Sequence, residues 1–265
     1  MRWARIEHQG KPRFAIVHSD RLEIVEGDPL TSYRATGESA PLAGTKLLPP
    51  IVPPTFYAAG MNYLGHTAEM RDALGEAKAK VPTQADIGYR ANNSLIGQGE
   101  AIVIPKGSSG AVQYEGELVV VIGKKAKKVA ESEALNYVFG YTIGNDVSER
   151  TWQKSDRTLW RAKNSDTFAP MGPWIETDVA LDKLVTRVRL NGKQVAEFAT
   201  NKMIFGVERY ISEISKYITL WPGDMIWMGA ESPTLDMVAG DNVEVEIEGI
   251  GVLRNPIVAE NSAGR

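Results

Sequence analysis

The chain has 265 residues, is 43% hydrophobic and 24% charged, and carries a net charge of −3. That suits one large folded domain or a core with a small appendage, and gives no electrostatic case for a nucleic acid or an anionic membrane as partner. The absence of cysteine excludes disulfides, thiolate metal ligands and a catalytic thiol.

In chain order, Trp3-Ala4-Arg5-Ile6, Phe14-Ala15-Ile16-Val17 and Arg21-Leu22-Glu23-Ile24-Val25 alternate with turn residues and read as hairpins of a small β appendage over residues 1–48. Pro49-Pro50-Ile51-Val52-Pro53-Pro54 is a stiff extended connector and the expected boundary with a second unit over residues 49–265. Phe56-Tyr57-Ala58-Ala59-Gly60 reads as a buried strand. Residues 62–80 are rich in helix formers, with Gly75 interrupting and Pro82 closing them. This helix and the loop after it, about 62–98, form a candidate lid. Strands are expected near 101–105, 117–122, 138–143, 184–190, 225–228 and 243–248, and helices near 131–136 and 207–217. The basic cluster Lys124-Lys125-Ala126-Lys127-Lys128 reads as a solvated turn. The sum is a mostly β protein with some α (α+β). No window approaches ~18 uncharged apolar residues and no leader-like apolar stretch opens the chain, so a cytoplasmic protein is expected.

Chemistry concentrates around Tyr114-Glu115-Gly116-Glu117-Leu118, which runs into Val119-Val120-Val121-Ile122. Acids two apart on a strand share a face. Spacing alone is weak evidence, because Glu244-Val245-Glu246-Ile247-Glu248 has it too, there in strict alternation with apolar residues that leaves the acids in water. Around Glu115 and Glu117 the apolar run is continuous, and buried like charges need a counter-charge. A divalent cation completed by Asp146 is one solution; neutralising Arg or Lys residues are the other. Three carboxylates and waters suit Mg²⁺ or Mn²⁺, with positions left for a bidentate 2-oxo acid, whose carbonyl the metal would polarise. Of three histidines, His8, His18 and His66, the last has Glu69 one helical turn on. The pair reads as a general base with its orienting carboxylate, or as a helix start with a first-turn acid favouring the dipole. Lys163 reads as an oxyanion or carboxylate ligand, or as an exposed loop charge.

Several ordered motifs resemble the fumarylacetoacetate hydrolase family over residues 50–256. They are Asn62-Tyr63-x-x-His66-x-x-Glu69, Tyr114-Glu115-x-Glu117-Leu118, Gly140-x-x-x-x-Asn145-Asp146-Val147-Ser148-x-Arg150 with Gln153, Lys163-x-x-Asp166-Thr167-Phe168 and Pro222-Gly223-Asp224. The resemblance implies a mixed β-sandwich-like roll, usually a homodimer, with Mg²⁺ or Mn²⁺ on Glu115, Glu117 and Asp146. It implies a His66–Glu69 dyad on a lid, and substrate contacts from Tyr63, Gln153 and Lys163. The expected activity is metal-dependent hydrolysis of a C–C bond in an acylpyruvate-like or 2,4-dioxo acid of aromatic or sugar-acid catabolism. The alternative is decarboxylation of oxaloacetate or isomerisation of a 2-hydroxy-diene dioate through the same metal-bound enolate. Two departures bear on the substrate: Ala230-Glu231 stands where relatives have Thr-Pro, which removes a hydroxyl and makes Glu231 a candidate to enter the site, and Tyr89-Arg90 replaces a Phe-x-Lys.

Overall fold

The computed structural model describes residues 1–73 and 81–260, the side chains of 69–73 excepted. The expected break at Gly75 and the stretch of the candidate lid from 74 to 80 lie outside the described residues. The described residues form two large packed sheets, a two-stranded pair of Val112–Gln113 with Ser148–Glu149, and few helices, a mostly β architecture as expected from the sequence. The larger, twelve-stranded sheet runs in the order Ser32–Pro41, Arg21–Asp28, Lys11–Val17, Arg2–His8, Ala169–Glu176, Val138–Asn145, Gly116–Ile122, Met225–Trp227, Phe56–Gly60, Asp86–Tyr89, with two short strands off this path. The N-terminal hairpins are therefore continuous with the central strands, through Arg2 and Trp3 paired with Glu176 and Ile175. The second sheet has five strands, in the order Lys193–Ala199, Val185–Leu190, Asn242–Ile247, Gly251–Ala259, Ile102–Ile104.

Gly116–Ile122 lies between Val138–Asn145 and Met225–Trp227, antiparallel to both, and all its residues are buried. Its faces enter different cores, which explains the unbroken apolar run. Leu118, Val120 and Ile122 pack among residues of the five-stranded sheet and of the helix Val207–Tyr217. Val119 and Val121 pack with Phe56, Met225 and Trp227. Gly116 and Gly144 allow the close approach. A Cβ at 116 would meet Val245 Cγ1 at 2.8 Å, and one at 144 the Trp227 ring at 2.6 Å. In contrast, Asn242–Ile247 buries Val243, Val245 and Ile247 and leaves its acids to salt bridges such as Arg189–Glu246 at 2.6 Å.

Val207–Tyr217 is helical as its period predicts, burying Val207, Tyr210, Ile211 and Ile214. Residues 131–137 form a 3₁₀ helix. The expected lid helix spans Leu64–Ala73. Ala169–Glu176 has no counterpart in the sequence reading, because Pro170 and Pro173 argue against a central strand. The sheet accommodates them with an irregular register, in which Tyr141 faces Glu176 while Ile143 faces Gly172. Among the described residues no helix is long and apolar enough to cross a membrane.

Candidate active site

Glu117 in the central strand, Glu115 just before it and Asp146 just after the neighbouring Val138–Asn145 each offer an oxygen within 4.8 Å of the others. All three are buried. The register places Gly116 opposite Asn145, whose Oδ1 accepts the Glu115 N–H at 2.9 Å. The acids therefore meet because two adjacent strands end together.

Cations surround part of the cluster. Lys163, on the short helix Trp160–Asn164, is 4% exposed and donates to Glu115 Oε2 and Asp146 Oδ2, each at 2.7 Å. The alternative of an exposed loop charge is thereby removed. Arg150 Nη1 donates to Glu115 Oε1 at 2.6 Å and to Gln153 Oε1 at 2.9 Å. Arg90 grips Asp146 with both arms, at 3.0 and 2.8 Å. Burial by itself would raise Glu115, but Lys163, Arg150 and His66 outweigh it and hold the carboxyl well below its usual range. Asp146 is likewise lowered against the effect of burial, by Arg90 and then Lys163.

Glu117 differs. Its Oε2 accepts the Gly229 N–H at 2.8 Å, and among the described residues no ion pair reaches it. Burial, then Asp146 and Glu115, push it well above the usual carboxylate range. A buried acid without a compensating cation, beside two oxygen-donor neighbours, is what a hard divalent ion would neutralise, so the residues fit Mg²⁺ or Mn²⁺. Lysine and arginines thus balance two of the acids, and the third is left over.

Of the three acids, Glu115 lines a cavity of about 420 Å³. His66, on the helix Leu64–Ala73, lines it and is 7% exposed, with Nε2 3.6 Å from Glu115 Oε1. Glu69 lies one turn on in the same helix, and its side chain is outside the described residues. Gln153, Lys163, Arg90, Arg150 and Lys154 also line the cavity. Tyr63 does not. Its hydroxyl donates to the Thr200 carbonyl at 2.6 Å and its ring meets Phe198 edge-on, anchoring the start of the helix in the core.

Two participants, Arg150 and Arg90, were given no role from the sequence, whereas Glu231 was expected near the site. Arg150 stands four residues after Asp146 in the same motif, a usable signal. Arg90 was visible as a departure, but its grip on Asp146 depends on the edge strand Asp86–Tyr89 folding over the cluster. Glu231, the other departure, accepts the His66 N–H at 2.7 Å.

A family model described as fumarylacetoacetate (FAA) hydrolase C-terminal matches residues 55–258, and one described as Rv2993c-like, N-terminal, matches residues 1–50. An oxaloacetate tautomerase of Xenopus laevis is 38% identical over 225 residues, covering 80% of this chain and 68% of that one. A 4-hydroxyphenylacetate degradation bifunctional isomerase/decarboxylase of Salmonella dublin is 38% identical over 213 residues, 79% of this chain and 48% of its own length. Among solved structures, a 5-carboxymethyl-2-hydroxymuconate delta-isomerase from Mycobacterium smegmatis matches with a TM-score of 0.88 at 34% identity, covering 98% of this chain and all of that one. The chain belongs to the fumarylacetoacetate hydrolase family.

Proposed function

We propose that this enzyme moves a proton on a small 2-oxo dicarboxylic acid, interconverting keto and enol forms or shifting a double bond, with decarboxylation as a branch of the same chemistry. The observation that carries the reading is the His66 imidazole, of a type suited to carrying a proton, on the wall of a cavity that Glu115 and Lys163 also line. The tautomerase, isomerase and decarboxylase names of the three relatives support a proton shift over the C–C hydrolysis expected from the sequence.

Each residue has a task. Neutral His66 takes the proton from the carbon beside the substrate carbonyl and returns it to the other end of the enolate system. Glu115, 3.6 Å from Nε2, favours the imidazolium that forms between these steps. Arg150 and Lys163 place positive charge where negative charge develops on the substrate oxygen. Gln153 and Lys163 orient the 2-oxo acid end. Lys154 lines the cavity, and among the described residues its side chain makes no hydrogen bond or ion pair, leaving the ammonium to meet the distal carboxylate. Glu115, Glu117 and Asp146 would hold Mg²⁺ or Mn²⁺, which when bound supplies a Lewis acid for the substrate carbonyl.

The test is a substrate panel of enol-oxaloacetate, a 2-hydroxy-diene dioate and an acylpyruvate, with products identified and His66→Ala run alongside. Turnover of the first two, lost in the variant, is expected. Cleavage of the acylpyruvate alone would overturn the reading.

A further inference from the structure

The helix Leu64–Ala73 carries His66, yet among the described residues no side chain next to its start caps it. The first amides of a helix have no intrahelical acceptor and are usually met by the side chain of the residue just before it. Here that residue is Tyr63, whose hydroxyl is committed to the Thr200 carbonyl at 2.6 Å. The side chain one position earlier, Asn62, is committed to Met228 O at 2.8 Å and, through Oδ1, to the Phe205 N–H at 2.9 Å. The acceptor comes instead from 165 residues away. Glu231 Oε1 accepts the His66 N–H at 2.7 Å, and Oε2 the Gly65 N–H at 3.4 Å. The Ser232 N–H donates to the same Oε1 at 2.8 Å and fixes the carboxylate from its own side. Its negative charge also suits the positive end of the helix dipole.

Glu231 closes a three-residue stretch that touches the site at every position. The Gly229 N–H binds Glu117, Ala230 lines the cavity, and Glu231 holds the His66 amide. We propose that Glu231 is a positioning residue, a latch that sets the reach of His66 over the carboxylate cluster by holding the helix start against the cavity wall. The proposal rests on the reading of His66 as proton carrier. A small shift of the helix start would move Nε2 out of line with the substrate while leaving the substrate-binding cations in place, so the latch acts on turnover more than on binding.

Gly65 offers a second way to open the latch. A Cβ there would lie 2.5 Å from Glu231 Oε1, the end of a flexible side chain, so Gly65→Ala displaces the carboxylate with little demand on the backbone. The experiment compares Glu231→Ala, Glu231→Gln and Gly65→Ala for kcat and KM on the substrate that the panel identifies, and for hydrogen–deuterium exchange at the Gly65 and His66 amides. Glu231→Ala and Gly65→Ala should lower kcat about tenfold or more with KM within about threefold, and both amides should exchange faster. Glu231→Gln keeps an acceptor oxygen and should restore most of the rate and protection. Unchanged exchange in Glu231→Ala, or a kcat within about twofold of the parent, would overturn the latch. So would equal losses in the Gln and Ala variants, which would mark a purely structural role. Exchange is read without turnover, so an inactive panel contradicts the proton-shift reading and leaves the latch to be decided by the amides.

Discussion

Glu117 carries the sharpest consequence at the scale of single residues. Glu115 and Asp146 are compensated by Lys163, Arg150 and Arg90, whereas Glu117 has one backbone N–H and two acidic neighbours. An acid whose folded pKa is raised retains its proton in the fold. Its contribution to stability is complete below the ordinary value and is lost as pH climbs towards the folded one. With a chelator present, the advantage of Glu117→Gln over the parent in thermal midpoint should therefore widen as pH rises from the ordinary carboxyl value of 4.5 towards neutrality and beyond. A gap independent of pH would contradict this assignment. Lys163 gives a second outcome. Lys163→Met leaves Glu115 without its largest counter-charge, so the Glu115 carboxyl should move up and activity should fall by about two orders of magnitude or more. Initial rates of the variant check it, and a rate within about tenfold of the parent would count against a role at the reacting centre. The acids were legible in the sequence because the apolar run beside them distinguished them from the acids of Glu244-Val245-Glu246-Ile247-Glu248. Lys163 was only half legible, since burial of a lysine is decided by a fold and no local spacing reports it.

Strands and helices followed their periods where one face or both faces met the core. Val207–Tyr217 and Asn242–Ile247 read correctly because their apolar residues recur at helix and strand spacing. Ala169–Glu176 was invisible for the opposite reason: two prolines in a buried strand contradict local rules, and only the irregular pairing with Val138–Asn145 makes room for them. The start of the helix Leu64–Ala73 was similarly obscured, because its cap lies on a segment distant in sequence. Glycines at the strand crossings hold the sheets at the distance the site needs. A methyl at Gly144 would press into the buried Trp227 ring, so Gly144→Ala should cost about 1–3 kcal/mol of stability. Urea unfolding measures it, and an unchanged midpoint would mean that the ring has somewhere to go. At the Pro222-Gly223-Asp224 turn, the buried Asp224 accepts the Thr55 N–H at 2.9 Å and the Trp221 N–H at 2.8 Å, tying the proline-rich connector to the strand Met225–Trp227.

At the scale of the whole molecule, the large sheet carries the acids and the second sheet backs them. The helices Leu64–Ala73 and Trp160–Asn164 bring His66 and Lys163 to the same opening. If Glu115, Glu117 and Asp146 hold a divalent ion only in the folded state, Mn²⁺ or Mg²⁺ at about a hundred times its dissociation constant should add about 2.7 kcal/mol of stability. The thermal midpoint should rise accordingly, and the rise should vanish in Glu117→Gln; an equal rise in both proteins would place the ion elsewhere. Family and metal cluster were readable from ordered motifs, while the choice between hydrolysis and proton shift was not, because it depends on how His66 and the cavity cations face a bound substrate. The most direct measurement is proton NMR of oxaloacetate incubated with the enzyme and Mn²⁺-free Mg²⁺ buffer in D₂O. Enzyme-dependent deuteration is expected at the carbon beside the carbonyl, beyond the spontaneous rate, and should be lost in His66→Ala. Exchange no faster than in buffer, with an acylpyruvate cleaved in a parallel tube, would contradict the proton-shift reading.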